Sequence, residues 1–180
     1  MKLVISQLKD GENPLSFSTE KDPWVKSLEQ QLSEEGYTLK GDLLINATLH
    51  KHEPDYYIQG ILDFTVTQEC SRCAEGFSLP VHSPFNLALA HISAGKKNKK
   101  PEALSEESEE LDVIYFDGHE IDLKPLIHEQ FVLSLPYNSL CNENCKGICQ
   151  HCGKNLNRQE CSCVKTPVHN PFSVLKTVTF

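Results

Sequence analysis

The chain has 180 residues, of which 39% are hydrophobic and 23% charged, and its formal net charge is -8. That length suits one domain with a real core, or one domain with a small appended module, and excludes two full-sized domains. No run of about 18 apolar residues is available to cross a bilayer as a helix, and the apolar stretch near Met1 is too short and too soon charged for a secretory signal. A cytoplasmic protein with no membrane contact is expected, and in a reducing compartment its eight cysteines are better suited to metal than to stable disulfides.

Asp22 followed by Pro23 reads as a helix start, because an Asx oxygen accepts an orphan N–H and proline at the first helical position wastes no donor. Trp24, Val25, Leu28 and Leu32 recur at near-helical spacing to about Glu35, and Gly36 can adopt the left-handed conformation that closes a helix. From Gly41 the period becomes two. Leu43, Ile45, Ala47 and Leu49, then Gly60, Leu62, Phe64 and Val66, alternate with mostly polar neighbours, as half-buried strands do. His52-Glu53-Pro54-Asp55 supplies the turn between them. Phe77 to His91 alternates through Phe85, Leu87 and Leu89 but is interrupted by Pro80 and Pro84. An antiparallel meander follows, with Cys70-Ser71-Arg72-Cys73 on a hairpin tip.

Gly95 to Pro101 is basic and Glu102 to Glu110 acidic, so about 93–110 is expected to be a flexible, solvated loop whose opposite charges cancel at a distance. Leu111 to Phe116 reads as a strand and Asp117-Gly118 as a turn. Asp122 caps a helix to about Leu133 that Leu135-Pro136 ends. The fold class is α+β: an antiparallel meander or barrel-like sheet with two or three helices and a C-terminal cysteine-rich zinc-knuckle segment. Residues 1–140 form the body, and 141–180 a zinc-binding tail packed on it.

Cysteine spacing carries the chemistry: Cys70-x-x-Cys73, Cys141-x-x-x-Cys145, Cys149-x-x-Cys152 and Cys161-x-Cys163. Two cysteines this close fold a tight knuckle that offers both sulfurs to one tetrahedral ion, and two knuckles complete a closed structural site. Eight thiols make two sites. Cys149, Cys152, Cys161 and Cys163 are local to one another, which leaves Cys70 and Cys73 to meet Cys141 and Cys145 and staple the hairpin to the end of the last helix. Metal-free buried thiols are common singly but do not explain four successive close pairs. A redox pair belongs at a helix start in a βαβ setting, not on a hairpin. Iron–sulfur ligation uses the same residues, and spacing alone does not separate it from zinc.

Enzymatic signatures are lacking. Ile148 stands before Cys149 where a zinc deaminase needs proline, and no phosphate loop or nucleophile elbow occurs. His50 and His52 share a strand face, where solvent-facing histidines outnumber ligands. His151 lies between two ligand candidates and reads as a spacer.

Charge is unevenly distributed. Residues 1–140 carry 12 Lys/Arg and 23 Asp/Glu, whereas 141–180 carry 5 and 2. An acidic body suits a basic protein partner. Lys146, Lys154, Arg158 and Lys165 are the candidate phosphate contacts if the tail binds RNA instead. A thiol redox or metal-handling protein is a third class, and it requires labile cysteines.

Cys70-Ser71-Arg72-Cys73, the Leu135-Pro136 step, the run Cys145 to Asn157 with Cys161-x-Cys163, and Asn170-Pro171-Phe172-Ser173-Val174-Leu175-Lys176 together resemble the bacterial YceD-like family. The resemblance extends from about residue 40 to the end. It implies an assembly factor that supports 23S rRNA accumulation and large ribosomal subunit biogenesis, with a large-subunit precursor or a basic ribosomal protein as partner, while the cysteine pairs themselves point to Zn2+, two per chain, as cofactor. It also implies a relative acting in chloroplasts. Gln150 stands where the family usually has proline, a departure that removes no ligand.

Overall fold

The computed structural model describes residues 1–52, 55–91, 113–116 and 119–163. Glu53 and Pro54 of the expected turn, the charged loop at about 93–110, the Asp117-Gly118 turn, Lys165 and the segment 170–176 lie outside the described residues.

Among the described residues, two helices and a mostly antiparallel sheet make up an α+β fold. The elements in order are β1 (Lys2–Val4), β2 (Gly11–Ser18), α1 (Pro23–Glu34), β3 (Thr38–Leu39), β4 (Leu44–His52), β5 (Asp55–Glu69), β6 (Gly76–His91), β7 (Val113–Phe116), β8 (Glu120–Asp122) and α2 (Leu123–Leu133), with a 3-10 turn at Ile5–Gln7. The large sheet runs β2-β4-β5-β6-β7 with β3 beside β5, while β1 and β8 form a separate pair. The expected barrel-like closure does not occur: the sheet is open, with β2 and β7 at its ends. The meander expectation also holds only in part, because β7 joins β6 in parallel, Ala88 opposite Val113.

Prolines fit this sheet because they fall on open sides. Among the described residues β2 pairs only with β4, leaving Pro14 on an edge strand. In β6, Pro80 and Pro84 face Thr65 and Ile61 of β5, while β7 lies alongside only residues 88–91. A missing N–H that points away from the ladder costs no bond, so β6 runs unbroken through both prolines. Prolines on exposed edges also block pairing with another chain.

One face of the sheet meets both helices. Val25, Leu28 and Leu32 of α1 and Leu123, Leu126, Ile127 and Phe131 of α2 pack with Ile45, Leu49, Ile58, Leu62, Phe64 and Leu87. Phe131, fully buried, stacks on Phe64 with ring centroids 4.4 Å apart and meets Tyr37 edge-on at 5.6 Å. Trp24 is only half-buried, at the border of the core, edge-on to Phe17 at 5.1 Å.

Both helix starts lie where expected, but the caps differ. Asp122 accepts the Lys124 N–H at 3.2 Å, a side-chain cap. Asp22 precedes α1 without capping it, and its carboxylate instead accepts the Ser18 N–H at 2.9 Å, fixing the turn from β2 into the helix.

Gly60 allows the sheet to close tightly at its centre. A Cβ there would lie 2.6 Å from the Asn46 carbonyl oxygen, 2.7 Å from Ala47 Cβ and 2.8 Å from the Phe85 ring. The Phe85 ring takes the place of the missing side chain. Gly60→Ala should therefore destabilise the chain by about 2 kcal/mol, the usual scale of an overpacked core. A urea unfolding midpoint within error of wild type would contradict this packing.

Candidate metal centres

The β5–β6 hairpin carries its tip, Cys70 to Glu75, beyond the sheet, and the chain leaving α2 runs back to meet it. Ser71 N–H donates to the Ser139 carbonyl at 2.8 Å, and the buried Ser139 hydroxyl donates to Gln68 Oε1 at 3.1 Å. Arg72 reaches further. Its guanidinium donates to the Glu143 and Cys145 carbonyls at 3.2 and 3.1 Å, and its own carbonyl accepts the Ile148 N–H at 3.1 Å. Gly147, at φ 73°, makes room for that crossing, since a Cβ there would stand 3.0 Å from the Arg72 oxygen.

These contacts gather the cysteines into two groups of four: Cys70, Cys73, Cys141 and Cys145, and Cys149, Cys152, Cys161 and Cys163. Within each group all sulfurs lie within 4.8 Å of one another. The division is the one the spacing suggested. Cys70 and Cys145 sulfurs are 3.8 Å apart, and those of Cys73 and Cys141 3.7 Å. A tetrahedron with its centre about 2.3 Å from each sulfur has an edge of about 3.8 Å, so these separations fit one thiolate-bound ion. A disulfide needs about 2.05 Å, and all eight cysteines are free. Each group can hold a metal ion. The first is the more enclosed, with Cys70, Cys73 and Cys145 buried beside Phe77 and Leu140; in the second only Cys149 is buried.

Two of the cysteine pairs share one backbone pattern. Ala74 N–H donates to the Cys70 carbonyl at 2.8 Å and Cys70 N–H to Glu75 at 3.0 Å; Gly153 N–H donates to Cys149 at 2.9 Å and Cys149 N–H to Lys154 at 2.8 Å. In both, the residue after the second cysteine is left-handed, φ 56° at Ala74 and 70° at Gly153. An antiparallel bridge between Ile148 and Asn155 closes the second knuckle.

Thiol acidity within the groups is strongly uneven. The Cys141 backbone N–H, helped by those of Arg72 and Cys73, draws Cys70 down to about 6. Backbone N–H groups at His151 and Cys152 do the same for Cys149, also to about 6. The Asn157 amide lowers Cys145. Removal from water, then the neighbouring thiols, push Cys141 up to about 12, and Cys152 next to Cys163 pushes the latter up to about 12. Once one thiolate forms, its neighbours resist ionising, so four thiolates coexist only around a cation. The donor set, the sulfur spacing and the N–H groups aimed at sulfur all suit a thiophilic divalent ion.

Of the four candidate phosphate contacts, Lys146 and Lys154 are exposed. Arg158 pairs with Glu75 at 2.9 Å, and Lys165 lies outside the described residues. His50 meets Gln59 at 2.9 Å and joins no ligand group. Arg72 and Asn157 were not singled out by spacing. Asn155-x-Asn157 after a knuckle is an Asx-turn pattern, the one local signal for the second of them.

An open, mostly antiparallel sheet, with one four-cysteine group at its hairpin tip and a second in the adjoining tail, defines an α+β protein with two groups that could hold metal ions. The family model described as large ribosomal RNA subunit accumulation protein YceD matches residues 58–178, and the chain belongs to that family. Large ribosomal RNA subunit accumulation protein YCED homolog 1, chloroplastic, from Arabidopsis thaliana is 27% identical over 128 residues, covering 59% of this chain and 39% of the relative. Its Zea mays namesake is 24% identical over 141 residues, covering 67% and 48%. An uncharacterized protein of Mycobacterium bovis is 29% identical over 99 residues, covering 55% and 44%. The chain thus spans less than half the length of each of these relatives. No solved structure matches it.

The shared knuckle pattern makes Ala74 a strained counterpart of Gly153. Ala74→Gly should raise stability by about 1 kcal/mol, and Gly153→Ala should lower it by a similar amount, the cost of a Cβ in the left-handed region. Paired thermal melts check this, and equal midpoints for the two variants would contradict it.

Proposed function

We propose that the chain is a non-enzymatic, cytoplasmic Zn2+-binding factor that supports 23S rRNA accumulation and biogenesis of the large ribosomal subunit. The observation that carries this reading is the family match, whose span of residues 58–178 includes all eight cysteines. The names of the plant relatives point to the same role for those proteins. No helix among the described residues is long and apolar enough to cross a membrane.

Cys70, Cys73, Cys141 and Cys145 would hold one zinc, and Cys149, Cys152, Cys161 and Cys163 the other. Zinc bound by four thiolates leaves no open coordination position for substrate or water, so its contribution is structural. The chain's own residues do the shaping: Arg72 and Ser139 seat the hairpin tip against the tail, and the knuckle N–H groups orient the sulfurs.

Electrostatics favour a protein partner over naked RNA. Residues 141–180 carry five Lys/Arg against two Asp/Glu, and each four-thiolate zinc adds a net charge of about 2 minus. A zinc-loaded tail is therefore close to neutral, beside an acidic body. A basic ribosomal protein, or the protein surface of a large-subunit precursor, is the complementary partner, and such binding should weaken steeply with salt.

Depleting the protein should lower the ratio of 23S to 16S rRNA. Wild type and a variant with Lys146, Lys154 and Lys165 all changed to Glu should restore it, whereas Cys70→Ser should not. Loss of rescue by the folded charge-reversed variant, together with loss of binding to 23S transcript, would overturn the protein-partner reading in favour of direct RNA contact.

A further inference from the structure

The loop that closes the second cysteine group reaches into the first. Residues 155–158 lie between Cys152 and Cys161, inside the loop that an ion in the second group would close. Yet Asn157 turns toward the other group: its Nδ2 donates to Cys145 Sγ at 3.3 Å, and its Oδ1 accepts the Lys146 N–H at 2.8 Å. Exchanging the amide oxygen and nitrogen would set an oxygen against the sulfur and an NH2 against an N–H, so the two bonds together fix the orientation. The Asn155 side chain holds Asn157 in place, accepting its backbone N–H at 2.8 Å. On either side, Leu156 N–H donates to the Gly147 carbonyl at 2.9 Å, and Arg158 pairs with Glu75, two residues past Cys73.

A turn-forming role accounts for the bonds to Lys146 and Asn155. It does not account for an amide N–H aimed at a sulfur of the other group. We infer that Asn157 is a positioning residue for the first metal centre, supplied by the loop of the second, so that the two centres load metal cooperatively. This rests on the metal reading above. An ion in the second group orders the loop and fixes the donor beside Cys145, and by linkage an ion in the first group stabilises that same loop arrangement. The first centre keeps its own supports, Arg72 and Ser139, and so still forms alone, but more weakly.

Co2+ titration of the full chain under reducing conditions, with chelator competition, tests the coupling in wild type, Asn157→Ala, Cys152→Ser and the double variant. Cys70→Ser supplies the spectrum of the second centre alone. Asn157→Ala and Cys152→Ser should each weaken Co2+ at the first centre about tenfold, and the double variant should be little weaker than either. The sulfur-to-cobalt charge-transfer band of the first centre should also move to lower energy in Asn157→Ala, a shift that a merely structural residue would not cause. Unchanged affinity and band position in Asn157→Ala, or effects that multiply in the double variant, would overturn the coupling while leaving two independent centres. Absence of cobalt binding to wild type would overturn the metal reading and the coupling with it.

Discussion

Everything at the cysteine-rich end of this protein depends on bringing Cys70 and Cys73 to Cys141 and Cys145, across sequence separations of 68 to 75 residues. Closing a loop of that size costs about 4 to 5 kcal/mol of chain entropy. The bonds from Ser71 and Ile148 and the two from Arg72 return about 1 kcal/mol each. These terms nearly cancel. The four gathered thiols add repulsion as they ionise, so the docked arrangement on its own is marginal. A structural zinc site would contribute about 10 to 16 kcal/mol of apparent binding energy, severalfold the remaining deficit.

The body of the fold can be understood as the support for that closure. Two strands of 15 and 16 residues project the hairpin tip past the sheet, and α2 delivers the returning chain to the same end. Phe131, stacked on Phe64 of β5, ties the helix to the strand that leads to Cys70. Proline on strand sides that no other described strand pairs blocks pairing with other chains there. The second group adds a compact knuckle of local contacts, and its Asn157 lies within hydrogen-bonding distance of a sulfur of the first.

Much of this was legible in the residues, for identifiable reasons. Helical periodicity and a proline at the first position revealed α1, while Asp122 and the Leu135-Pro136 step revealed α2. Period-two alternation marked β4, β5 and β6. Close cysteine pairs marked both groups, because sulfur chemistry leaves few other uses for that spacing. Other features were hidden. Pro14 masked β2, since a proline is tolerated only on an edge and edge position is a tertiary fact. The parallel pairing of β7 and the open sheet depend on where the chain re-enters after a long connection, which periodicity does not encode. Asp22 showed the right residue at the right place with a different bond, because the Ser18 N–H competed for its carboxylate. Arg72 looked like an ordinary spacer, and its grip on the tail exists only once the two distant segments meet.

Metal content is the most direct test of the central claim that eight cysteines make two closed centres. Natively purified protein should carry two zinc ions per chain, each with about four sulfurs at about 2.3 Å by X-ray absorption, and Cys70→Ser and Cys152→Ser should each retain about one. Zinc-free protein with disulfides, or metal bound through nitrogen and oxygen instead of sulfur, would contradict the account.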